Sequence, residues 1–258
     1  MKTKKKISLF LLFSDAFRLV KSDPFLLVPC VFSSLVFSIF FNLFFEKNIS
    51  DGNIDFSDFP EIFLLVPIML LLLLFFILLL LAMVYLKKKD PEKSYTFSNY
   101  TTLIFGVFGK VMNYFISFYA FFIISFILLS TFFDYISFNF GVQLLFLLLF
   151  FVLSICNYFL PCYLFLTKDT FVSGIVNFSL FIKKHSRYIF YWFSLYFAIF
   201  ILRVYILTLL DVINSSITTT IAGVISGVLE SFLFVFTFIL VIEMLGYKFK
   251  KTEPIVIK

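Results

Sequence analysis

The sequence predicts an all-α fold, a polytopic transmembrane bundle of six spans arranged as three hairpins. Three observations lead there. Apolar residues make up 62% of the 258-residue chain and charged residues only 14%, too little polar surface to coat a water-soluble exterior. The apolar residues, 44 Phe among them, fall in blocks of about 20 or more, long enough to cross a hydrocarbon core of roughly 30 Å at 1.5 Å per helical residue. Lys and Arg crowd into every second connection between those blocks.

The amino end has the outline of a secretory signal, with Lys2, Lys4, Lys5 and Lys6 ahead of the run Ile7 to Phe13 and Ser14-Asp15-Ala16 in the place of a cleavage site. The run is short, however, and Arg18 and Lys21 add positive charge before the first long block, which favours a retained cytoplasmic end. The spans are expected at 24–45, 63–86, 111–133, 141–166, 188–210 and 221–245. The second carries no charge and contains an almost unbroken Leu-rich run from Leu70 to Leu81, so its insertion is favourable at about −0.3 to −0.6 kcal/mol for each Leu, Ile, Phe or Val. Period-two alternation with a polar face, which a barrel strand needs, is absent, leaving helix as the spanning state. The longest intervening stretch, 87–110, is too short to bury a core of its own, so residues 1–258 form a single integral membrane domain.

Of the 21 Lys and Arg, all but Lys47 and Arg203 fall in 1–23, 87–110, 167–187 or after Leu245. The positive-inside rule puts those stretches, and both termini, in the cytoplasm of a cell-membrane protein. The opposite side is acidic, with Glu46, Asp51, Asp55, Asp58, Glu61, Asp134 and Asp211. The net charge of +6 is thus a topology signal and not a nucleic-acid footprint. The partner it implies is the bilayer, with the basic face near anionic headgroups.

Each hairpin is preceded by a stretch with helical amphipathic spacing: Phe13, Phe17 and Val20 in the first, Phe97, Tyr100, Ile104 and Val107 in the second, Phe171, Ile175, Phe178 and Ile182 in the third. This predicts a cytoplasmic interfacial helix before each hairpin, as triplication of one unit would give; a polar lead-in that any hairpin needs is the simpler reading. The run Ser14-Asp15-Ala16-Phe17-Arg18-Leu19-Val20-Lys21 leading into Pro24, and Phe178 through Lys184 leading into the fifth span, resemble small six-span prokaryotic membrane proteins of uncharacterised function, including the membrane region of some glycerophosphodiester phosphodiesterases. The resemblance implies architecture only, since no catalytic barrel follows.

Arg203 and Glu230 fall inside the fifth and sixth spans, both in the outer half. Unpaired, each costs at least about 2.5 to 3.5 kcal/mol near a helix centre, so the two are expected to meet, either as a clamp that fixes helix register or as a polar site for an ion or substrate. Gly223, Ser226, Gly227, Glu230 and Ser231 share one helical face, small enough to admit a neighbouring backbone within the bundle or across a homo-oligomer. Pro161 frees the carbonyl of Asn157 and predicts a kink in the fourth span, with a cation site as the functional alternative. Cys30, Cys156 and Cys162 lie in apolar blocks without metal-ligand spacing and read as small hydrophobes. Glu243 reads as an interfacial residue, and His185, among Lys183, Lys184 and Arg187, as solvated or touching lipid phosphate. The loop from Asp51 to Asp58 has partial calcium-loop spacing but Phe56 where the glycine belongs and Ile62 where the closing Glu belongs. Asn48-Ile49-Ser50 and Asn214-Ser215-Ser216 match the glycosylation pattern.

Metalloprotease, serine-hydrolase and phosphate-loop motifs are all missing. The expectation is a non-enzymatic membrane protein with no cofactor and no metal, an accessory or lipid-associated component. A small transporter or permease subunit built around Arg203, Glu230 and Asn157 is the alternative.

Overall fold

A computed structural model describes residues 8–48, 59–133, 140–169, 171–211, 216–247 and 249, and every regular element among them is helical. The chain runs α1 (Leu9–Ser22), a single 3-10 turn (Pro24–Leu27), α2 (Val28–Asn48), α3 (Phe59–Lys89), α4 (Phe97–Phe133), α5 (Phe140–Leu166), α6 (Phe171–Lys184), α7 (Ser186–Asp211) and α8 (Ser216–Leu245). Four of these contain stretches long and apolar enough to cross a membrane: Leu71–Lys89, Leu148–Leu166, Ser186–Ile206 and Thr220–Leu245, matching the second, fourth, fifth and sixth expected spans. The protein is therefore an all-helical, membrane-type bundle.

Local chemistry sets the helix ends. Asp23 cannot continue α1 because Pro24 follows it, and its backbone is pushed to φ −139°, ψ 83°. There the chain turns by 104° between 9–22 and 24–36, so α1 lies across the bundle instead of along it. The face of α1 that carries Leu12 and Ala16 is buried, and Phe13 beside it meets the rings of Phe232 and Phe236 on α8 at 5.0 and 6.0 Å, while Phe17 of the expected stripe is exposed. The corner is tied to the end of α3 by Lys87 and Asp23 at 3.2 Å. At the start of α4 the Asn99 carboxamide oxygen accepts both the backbone N–H and the hydroxyl of Thr96 at 2.9 Å, one half of a capping box. At the end of α8, Gly246 takes φ 64°, and the amides of Gly246 and Tyr247 bond back to Glu243 and Ile242 at 3.1 and 3.0 Å, the paired closure that glycine permits.

The three lead-in segments do not fold alike. The first and third are separate helices, α1 and α6, but the second is not: α4 runs unbroken through 37 residues, about 55 Å of helix. The difference is in the joints. Asp23-Pro24 breaks the first, and the turn at His185 parts α6 from α7, whereas Val107-Phe108-Gly109-Lys110 holds no residue that forces helix to stop.

The central element is α8. In its apolar stretch 72% of residues are buried, against 11% for α7 at the edge. α8 packs on α1, α2, α3, α5 and α7, and its densest seam is with α2, so the last helix joins elements from all three expected units. Cys30 and Cys162 are buried in this core as free thiols and Cys156 is half-buried.

Candidate functional site

The site is built on the amino-terminal half and the middle of α8. Its small-residue stripe faces α2: a Cβ placed on Gly227 would stand 2.8 Å from the Cys30 carbonyl oxygen and 2.8 Å from the Val31 nitrogen, and one on Gly223 would stand 3.2 Å from Leu35 Cδ2. Ser231 closes the seam, its Oγ lying 3.1 Å from the Leu27 carbonyl oxygen across the interface and 2.8 Å from that of Gly227 in its own helix. With the glycines against α2, the same stripe carries Glu230 to the side of α7. Arg203 Nη1 donates to Glu230 Oε1 at 3.0 Å, with the two side chains 35% and 29% exposed.

The pair has polar company that the sequence reading passed over. Tyr158 of α5 and Tyr196 of α7 both lie within electrostatic range of Glu230 and Arg203. Tyr196 stacks on Trp192 at 5.3 Å and 7°. Trp192 is fully buried and donates its indole N–H to Thr237 Oγ1 at 2.7 Å, while Thr237 bonds to the Leu233 carbonyl at 2.6 Å. The signal was present: this is the one Trp of the chain, and a buried indole N–H requires an acceptor.

Asn157 and Pro161 sit in α5, half-buried and buried respectively, and α5 remains one helix through the proline. On α5, Tyr158, the neighbour of Asn157, lies within electrostatic range of the pair. His185, expected to be solvated or to touch lipid phosphate, is half-buried and rests on the Phe181 ring at 5.1 Å. Glu243 is exposed. The loop 51–58 and the triplets 48–50 and 214–216 fall wholly or partly outside the described residues.

A second polar cluster lies at the opposite end of the bundle. Asp169, in the short link between α5 and α6, accepts the Tyr163 hydroxyl at 2.9 Å and the Asn177 amide nitrogen at 3.1 Å. Lys110 of α4 donates to the Thr167 carbonyl beside it. Burial pushes the Lys110 ammonium below its usual range, and the nearby Asp169 carboxylate opposes that shift. Tyr114 lies over Gly174, where any Cβ would meet its ring at 2.8 Å. The cluster fastens α6 to α4 and α5. Asp169→Asn is expected to loosen α6 with the rest of the bundle intact: amide exchange over 171–184 should quicken by about an order of magnitude, as loss of charge-assisted bonds implies, while α8 keeps its protection.

No family model, curated protein or solved structure matches this chain. Among the described residues, no group of three or more His, Cys, Asp or Glu stands close enough to hold a metal ion.

Proposed function

We propose that this chain is a six-span protein of the cell membrane with both termini in the cytoplasm. It serves as a non-enzymatic, lipid-associated or accessory component, and Arg203 and Glu230 act as a clamp between its last two spans. The first and third spans are α2 and the later part of α4. The observation that carries this reading is the direct 3.0 Å contact of Arg203 with Glu230 on helices of membrane length. A permease site would instead hold the two charges apart around water.

The cytoplasmic side of this arrangement carries Arg18 and Lys21 on α1, Lys87, Lys88 and Lys89 at the end of α3, and Lys183 and Lys184 at the end of α6. Beside the charges of α1 stand the exposed rings of Phe10 and Phe17, the composition of a helix that lies in a headgroup layer. Each such cation contributes about 1 kcal/mol toward an anionic surface and is screened by salt. In nanodiscs, amide protection of α1 and α6 should therefore rise with the fraction of phosphatidylglycerol and fall as salt is added. Protection indifferent to both would contradict the lipid-associated reading.

A further inference from the structure

We propose that the elbow between α6 and α7 binds one anionic phospholipid of the inner leaflet, with Lys183, Lys184 and Arg187 around its phosphate and an acyl chain along the exposed face of α7. This deepens the lipid-associated reading above and rests on it. The chain turns at His185, so Lys183 and Lys184 fall in the last turn of α6 and Arg187 in the first turn of α7. All three side chains are exposed, and among the described residues none of them forms an ion pair. Three neighbouring cations therefore face outward with no carboxylate to balance them. The Arg187 guanidinium lies over the Tyr191 ring one turn on, 5.8 Å from its centre. That contact steadies the plane of the group, whose N–H fork matches phosphate oxygens.

The surface around these charges is apolar. α6 buries Gly174, Phe178 and Phe181, yet its outer side still exposes Ile175, Val176 and Leu180. On α7 the helical period puts Arg187, Phe190, Tyr191, Phe197 and Ile201 on one face, and all five are exposed. Burial reaches only 11% along the apolar stretch of α7, so in a membrane hydrocarbon covers this face. One leaflet supplies about half of a core of roughly 30 Å, or about ten residues at 1.5 Å each, which is the run from Arg187 to Phe197. A phosphate held at Arg187 thus leaves its acyl chain beside Phe190 and Phe197. Charge selects the headgroup: a zwitterionic lipid brings its own cation toward three others, whereas phosphatidylglycerol brings net negative charge.

The test uses the full chain in phosphatidylcholine nanodiscs that hold a minor share of phosphatidylglycerol, extracted gently and weighed by native mass spectrometry. Wild type carrying one lipid should hold phosphatidylglycerol well above its share of the bilayer. Arg187→Gln should lower that enrichment about tenfold, the scale of one lost charge-assisted contact, and Lys183→Gln/Lys184→Gln should lower it severalfold. Lys93→Gln removes an exposed cation from the link between α3 and α4 and should leave the enrichment unchanged. In wild type, phosphatidylglycerol with a photoreactive acyl chain should crosslink within 187–201. Equal enrichment in wild type and either elbow variant, an equal loss in Lys93→Gln, or crosslinks confined to α1 would overturn the elbow site and leave the lipid-associated reading standing. No enrichment in wild type, together with protection of α1 and α6 that ignores phosphatidylglycerol and salt, would overturn both.

Discussion

Gly227→Ala is expected to destabilise the protein more than alanine at either of two other helical glycines. The new methyl would press on the Cys30 carbonyl and the Val31 nitrogen, and backbone atoms of a packed helix cannot step aside as a side chain can. The seam between α2 and α8 must open, and overpacking of this kind costs about 1 to 3 kcal/mol. The strain also reaches the Ser231 contact with the Leu27 carbonyl one turn away. Gly223→Ala is tight against Leu35 Cδ2 at 3.2 Å, the movable end of a side chain, and in ordinary contact with Ser38 Cβ and Leu35 Cα at 3.5 and 3.6 Å, and should cost little. At Gly109 nothing lies within 4 Å, so alanine there should gain about 0.5 to 1 kcal/mol from helix propensity. Melting temperatures of the three variants in one detergent check the ranking. Gly227→Ala as stable as wild type would mean that the two helices do not approach as closely as described.

Glu230→Gln should be the most damaging change on the α7 side. It leaves Arg203 charged, in the apolar half of a span, without its carboxylate. An unpaired charge at a helix centre costs about 2.5 to 3.5 kcal/mol, and the place of Arg203 near the end of its apolar stretch, with the partial exposure of the pair, reduces the expected loss to about 1 to 3 kcal/mol. If the two side chains form a clamp, the double variant Arg203→Gln/Glu230→Gln should be more stable than the sum of the single losses predicts, with a coupling of about 0.5 to 3 kcal/mol. Arg203→Lys should recover only part of the stability because it keeps the charge and loses the planar fork. Normal melting behaviour in Glu230→Gln, combined with loss of a transported flux, would favour the permease reading instead.

The legible parts of this protein are those in which one physical requirement dominates. Lipid demands long apolar helices, so the apolar runs within α3, α5, α7 and α8 could be placed from composition alone. Two charges in the last two spans had to meet, and Arg203 and Glu230 do. The periodicity of Gly223, Gly227 and Ser231 likewise foretold close packing, and the structure gives α2 as the neighbour. Periodicity was less informative about joints. It marked an amphipathic stretch at 97–107 but could not show that α4 continues straight through it, because that depends on whether the following residues break helix. The tertiary clusters were the least visible. Asp169 looks like one more polar residue in the link between α5 and α6 until Tyr163, Asn177 and Lys110 are seen to converge around it. Tyr158 and Tyr196 were hidden for another reason: in a chain with 13 Tyr and 44 Phe, nothing in the pattern distinguishes a phenol facing an ion pair from one facing lipid.

Cysteine accessibility in intact cells tests the threading of the chain most directly. With an impermeant maleimide, a cysteine replacing Asp55 should be labelled from outside, while cysteines replacing Glu92 and Lys184 should react only after the membrane is opened. Labelling of Glu92→Cys or Lys184→Cys in sealed cells, with Asp55→Cys protected, would invert the bundle and contradict the account.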